Sequence, residues 1–96
     1  MKLSSLTTEY LHCSIESDIN PTSDTVKIAF MASGSPTSDD WHTATWESGS
    51  SSPYTAKILV GATGVSLAVG TYIVWIKVTD SPEIPVKEYT ERLVIY

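Results

Sequence analysis

At 96 residues the chain has room for one domain and one core. Hydrophobic residues make up 42% and charged residues 18%, which sets it among ordinary folded proteins and apart from disordered ones. A net charge of −5, with six basic residues scattered among eleven acidic ones, excludes the concentrated positive field that nucleic acids and anionic membranes require.

Met1 to Thr8 is expected as an N-terminal arm, followed by a single domain over 9–96. The first nine residues contain no continuous apolar stretch, so no signal peptide is expected and folding is expected in cytoplasm. No apolar run approaches ~18 residues, the length a membrane-spanning helix needs. The first strand follows, with Leu11, Cys13 and Ile15 alternating with Tyr10, His12 and Ser14. Cys13 is the only cysteine, so no internal disulfide forms and no cysteine-based zinc site is available. Its neighbours make it a small core residue.

Asp18 to Asp24, with Asn20-Pro21, reads as a turn. Val26, Ile28 and Phe30 alternate with Lys27, Ala29 and Met31 in a second strand. Ser33 to Asp40 is a loop, and Trp41 to Trp46 a third strand. Glu47 to Pro53 is polar. Tyr54 to Val60 is a fourth strand, ended by Gly61-Ala62-Thr63-Gly64, and Val65 to Ala68 a short fifth. The sixth, Tyr72 to Thr79, carries the clearest alternation. Asp80 to Pro85 breaks it, and Tyr89 to Tyr96 closes the chain. About seven short strands, with fourteen serines and twelve threonines favouring turns and strands, point to an all-β, antiparallel β-sandwich.

Leu67-Ala68-Val69-Gly70-Thr71-Tyr72-Ile73-Val74 is similar to the tyrosine corner of immunoglobulin-like domains, where a Tyr hydroxyl satisfies a backbone group at the turn into the sixth strand. This resemblance implies an immunoglobulin-like sandwich. Val74 then stands where antibody domains place their second cysteine, Ile28 replaces the first, and Trp41 or Trp46 is the core tryptophan, with spacing favouring Trp41.

No catalytic constellation emerges. His12 and Cys13 are adjacent on a strand and therefore point to opposite faces, which rules out a dyad. No nucleophile elbow, phosphate loop or zinc-protease motif is present. Asp39, Asp40, Asp80 and Glu83 would gather at one end of an immunoglobulin topology, where their oxygens could hold Ca²⁺. A set of solvated turn caps is the favoured reading, so neither metal nor cofactor is expected.

Aromatic residues carry more information. Three Trp and five Tyr exceed what one small core absorbs. On the sixth strand Tyr72, Val74, Ile76 and Val78 face inward, which turns Ile73 and Trp75 outward. An exposed Trp and Ile need a cover. The N-terminal arm or the loop around Tyr54 can supply it. A protein partner held by Trp75, Ile73, Trp46 and Tyr54 is the functional alternative. A sugar stacked on Trp75, Trp46 or Tyr54 is a third.

Asp40-Trp41-His42-Thr43-Ala44-Thr45-Trp46, Leu59-Val60-Gly61, and the run from Gly70 through Trp75 and Asp80-Ser81-Pro82 to Val86 together resemble a family of small proteins encoded among the structural genes of actinobacterial tailed phages. The likeness runs from about Leu6 to the end. It implies a non-enzymatic virion component, capsid-associated, head–tail connecting or tail-associated, assembled in the host cytoplasm in multiple copies beside other virion proteins. It supplies no catalytic residues. The alternative is a carbohydrate- or host-surface-binding sandwich module, and a cytoplasmic interaction protein is a third possibility.

Overall fold

A computed structural model of the chain describes residues 1–16, 21–47, 54–79 and 84–96. Among these, nine strands form and no helix: β1 (Lys2–Leu3), β2 (Glu9–Ile15), β3 (Thr25–Met31), β4 (Trp41–Thr43), β5 (Thr45–Trp46), β6 (Tyr54–Val60), β7 (Gly70–Thr79), β8 (Val86–Glu88) and β9 (Leu93–Ile95). The larger sheet has the order β1-β9-β7-β3-β4. β8 joins it on the β9 side of β7, pairing with Trp75–Lys77 while β9 pairs with Gly70–Tyr72. The smaller sheet has the order β2-β6-β5. All pairings are antiparallel except β1 with β9 and a lone bridge between Val60 and Val65.

The period-two pattern sorts each strand into a face that meets the other sheet and a face that does not. From the larger sheet Val26, Ile28, Val74, Ile76, Leu93 and Ile95 point inward. From the smaller sheet come Leu11, Cys13, Ala56, Ile58 and Val60, and the two sets form one buried cluster. Each Val, Leu or Ile among them contributes ~1.5–3 kcal/mol by leaving water, which is what a domain this small has to set against chain entropy.

Two contacts fasten the ends of this core. The Tyr72 hydroxyl donates to the carbonyl oxygen of Ala68 at 2.8 Å, which ties the turn before β7 to the strand itself. Its ring packs against the buried cluster. Gly61 (φ +137°) passes so close to the N-terminal segment that a Cβ there would stand 2.6 Å from the Cα of Thr8. Glycine satisfies both the backbone angle and the close approach.

The N-terminal residues are built into the larger sheet. Leu3 is only 8% exposed within the core. Val94 donates its N–H to the Met1 carbonyl (2.8 Å), Tyr96 to that of Leu3 (3.1 Å), and Ser5 to that of Tyr96 (2.6 Å). This seam lies at the β9 edge.

Three features of the sequence reading change. Trp41 to Trp46 is not one strand. β4 belongs to the larger sheet and β5 to the smaller, and the chain crosses between them at Ala44, whose N–H reaches the Val26 carbonyl at 2.9 Å. Val65 to Ala68 makes only the single bridge at Val65. Of Tyr89 to Tyr96 only β9 is strand, a further strand, β8, precedes that range, and between the two the Tyr89 N–H donates to the Val74 carbonyl at 2.7 Å.

A further correction follows from register. Ile28 and Val74 are both fully buried, but β3 and β7 are neighbours in one sheet, with Ile28 opposite Ile76 and Phe30 opposite Val74. They cannot bridge two sheets. The two-residue β1 is too short to show periodicity, so a count that begins at Tyr10 takes β3 for the second strand when it is the third. Trp41 is likewise not a core residue. It pairs with Ala29 on the face turned away from the other sheet, whereas Trp46 packs against the core. The Asp18 end of the first turn and most of the Asp80 to Pro85 break lie outside the described residues. Pro21 and Asp24 form a turn closed by the Asp24 N–H on the Pro21 carbonyl at 2.9 Å.

Replacing Tyr72 by Phe removes one hydroxyl and leaves the ring, so urea denaturation is expected to show a loss of about 1 kcal/mol. Gly61→Ala places a Cβ against the Thr8 backbone at a positive φ and is expected to lower stability by about 1–3 kcal/mol in the same experiment.

Candidate functional site

The face of the larger sheet that points away from the core is assembled by register. Met31 lies opposite Ile73. In the next row Trp41, Ala29, Trp75 and Glu88 run side by side across β4, β3, β7 and β8. Beyond it, Thr43, Lys27, Lys77 and Val86 form a second row across the same four strands. The centre of this face is thus two indoles with an alanine between them. Ala29 is 0% exposed although it faces outward, and it stands outside the core cluster. Trp41 and Trp75 are its register neighbours and cover it.

The indoles are half-buried. Lys77 reaches across β3 to place its Nζ 4.6 Å from the centroid of the Trp41 ring, a cation–π contact that also lays its aliphatic stem over the sheet. The Trp75 Nε1–H is buried with no hydrogen-bond partner among the described residues. An indole usually finds an acceptor when buried, and leaving such a donor unmet costs ~1–3 kcal/mol. Val86, 44% exposed, continues the apolar surface at the β8 edge.

The outward face of the smaller sheet has a different character. Tyr10, His12 and Ser14 of β2 pair with Leu59, Lys57 and Thr55 of β6. Lys57 sits over the Tyr10 ring at 4.8 Å, and His12 Nε2 lies 3.5 Å from Glu47 Oε1. This face is largely polar. The asymmetry singles out the tryptophan face.

Of the four residues predicted to hold a partner, Trp75 and Ile73 occupy the tryptophan face. Trp46 and Tyr54 do not join them. Trp46 pairs with Ala56 and Tyr54 with Ile15, which places both on the inward side of the smaller sheet. The Trp46 indole N–H is taken by the Asp24 carbonyl at 2.9 Å. Sequence reasoning missed Trp41 and Met31. The signal that could have found Met31 was its parity with Lys27 and Ala29 on the second strand. Trp41 offered no such signal, because the chain changes sheets three residues later, at Ala44.

The other candidate groups are accounted for locally. Asp40 accepts from the Thr37 N–H at 2.8 Å and the Thr37 hydroxyl at 3.0 Å, and these bonds hold its carboxyl below the ordinary range. It acts as a turn cap. Asp80 and Glu83 lie outside the described residues. No group of three or more His, Cys, Asp or Glu residues able to hold a metal occurs among the described residues. No helix among them is long and apolar enough to cross a membrane. Comparison with family models, curated proteins and solved structures finds no match for this chain.

Cys13 is fully buried, and burial, with a smaller contribution from Glu91, pushes its thiol up from 9.0 to about 12. The folded state favours the neutral thiol, so its contribution to stability is complete below pH 9 and is lost as the pH rises towards 12. At pH 8 a thiol-specific reagent is expected to label Cys13 only as fast as the domain opens, and at an ordinary rate once urea unfolds it. Fast labelling of the folded chain would contradict the burial.

Proposed function

We propose that this chain is a non-catalytic, immunoglobulin-like structural module of a tailed-phage particle, and that it docks on another virion protein through the tryptophan face. The observation that carries the docking reading is the Trp41–Ala29–Trp75 row on an outward-facing sheet, with Ile73 and Met31 beside it. Interfaces are enriched in Trp and Met, and their energy concentrates in a few aromatic anchors. The phage assignment rests on the sequence resemblance given above.

The strand order supports the immunoglobulin-like part. Taking β2 as the second strand of that fold makes the smaller sheet B-E-D and the larger one G-F-C-C′, with β8 and β9 together forming a broken G strand. On this assignment Tyr72, two residues before buried Val74, is the corner tyrosine, with its hydroxyl on the backbone four residues upstream. Cys13, on the second strand, then stands where antibody domains keep their first cysteine, and Ile28 where they keep the core tryptophan. An apolar pair in place of a disulfide suits a protein folded in a reducing cytoplasm.

Trp75→Ala tests the docking role. The side chain covers Ala29 from outside, so its removal leaves the inter-sheet core intact. The loss of stability is expected to stay near 1–2 kcal/mol, below the ~3–5 kcal/mol typical of deleting a core aromatic. Co-sedimentation with assembled heads or tails, recovered with the wild-type chain, is expected to fall at least about tenfold. Unfolding by the substitution would remove the face assignment. Undiminished co-sedimentation would remove the docking role. Glycan binding that disappears with Trp75 would instead establish the carbohydrate-binding reading.

A further inference from the structure

The charges around the tryptophan face differ from those of the rest of the chain, and they specify the kind of surface it meets. The chain carries six basic residues and a net charge of −5. Three of the six are on this one face by register: Lys27 and Lys77 in the row beside the indoles, and Lys2 on β1, paired with Val94. Among the strand positions of the face, the one carboxylate is Glu88, opposite Trp75. The other described acids, Glu9, Glu16, Asp24, Asp39, Asp40, Glu47 and Glu91, lie on loops or the smaller sheet. A net-acidic chain therefore turns a locally basic, aromatic face outward.

Neither central lysine forms an ion pair among the described residues, and Lys77 is held by the Trp41 ring instead. A cation parked on an indole keeps its charge available to a partner. The two ammonium groups are donors without a carboxylate, and they ask for anionic acceptors set in an apolar surround.

Resting on the docking reading, we infer that the tryptophan face binds an acidic protein surface, one that offers carboxylates to Lys27 and Lys77 around an apolar centre that packs on Trp41 and Trp75. Nucleic acid is the poorer match, because an overall charge of −5 opposes a polyanion at every distance beyond the face itself. A carboxylate patch is local, and apolar neighbours let it use the indoles as well as the lysines.

The test uses the full chain and two short acetylated peptides, one alternating glutamate with leucine and the other lysine with leucine, followed by indole fluorescence. The glutamate peptide is expected to bind and the lysine peptide to bind at least about tenfold more weakly, with the difference shrinking as salt rises from about 50 to 500 mM. Lys27→Glu and Lys77→Glu together are expected to weaken glutamate-peptide binding about tenfold or more, and Lys27→Gln alone by a smaller factor. Equal binding of both peptides, indifference to charge reversal, or no response to either peptide would each overturn the inference. The docking reading stands or falls separately, on co-sedimentation of the Trp75→Ala variant. A face that needs Trp75 for assembly but ignores the lysines would keep the first reading and lose this one.

Discussion

The pairing of β3 with β7 fixes almost everything else. Seven residues on each side meet in unbroken antiparallel register, from Thr25 opposite Thr79 to Met31 opposite Ile73. Because side chains alternate, the register assigns Val26, Ile28, Phe30, Val74, Ile76 and Val78 to the core side, and Lys27, Ala29, Met31, Ile73, Trp75 and Lys77 to the other. A slip by one residue would drive Lys77 and Trp75 of β7, or Lys27 of β3, into the space between the sheets, where Ala56 and Cys13 leave no room and no partner. The apolar demand of one face thus holds the other in place. The tryptophan face is a consequence of core packing on the far side of the same two strands.

The crossing at Ala44 adds the second constraint. Trp41 and Trp46 are separated by five positions, yet one ends on the outside of the larger sheet and the other on the inside of the smaller. A continuous strand would also place them on opposite faces, but of one sheet. The buried methyl of Ala44 is small enough to pass between the layers, and its N–H finds the Val26 carbonyl on the way. Trp46 then anchors the crossing by donating to Asp24, at the start of the strand whose carbonyl Ala44 uses. The two tryptophans have separate tasks: Trp46 closes the core, and Trp41 builds the surface.

What was legible in the sequence follows from the same physics. Long alternating strands announce themselves, so β2, β3, β6 and β7 are found within a residue or two, and the inward and outward sets of β7 come out correctly. The Tyr72 hydroxyl contact is legible because Leu67 to Val74 resembles a tyrosine corner, in which the hydroxyl meets a backbone group at the turn into the strand. Short elements are silent. Two residues such as Lys2 and Leu3 carry no period, and their pairing with β9 joins positions 92 apart in the chain. Missing that strand misplaced Ile28 as the residue that faces Val74 from the other sheet, although both are correctly buried. The candidate surface was half-legible for a related reason. Parity along one strand yields Ile73 and Trp75, but which residues flank them is a matter of register between strands, and register is set by contacts distant in sequence.

An apolar sheet face raises the risk of uncontrolled association, and the way this chain limits that risk bears on what the face is for. Its bordering strands are poor templates for further pairing: β4 has three residues, β1 two, and the β8–β9 edge is broken at Tyr89. Tyr89 turns inward and its hydroxyl accepts the Ser14 N–H at 3.2 Å, so it also occupies a backbone donor of β2 on the smaller sheet. Short edges, a break and a capped donor are all ways of discouraging strand addition. The lysines on the face resist self-stacking, since two copies brought together through it would confront like charges. These devices leave one mode of contact uninhibited, a flat approach by a surface that is apolar at its centre and anionic around it. Edges that discourage strand addition and charges that discourage self-contact, while two indoles remain in place, are what the proposed docking role calls for.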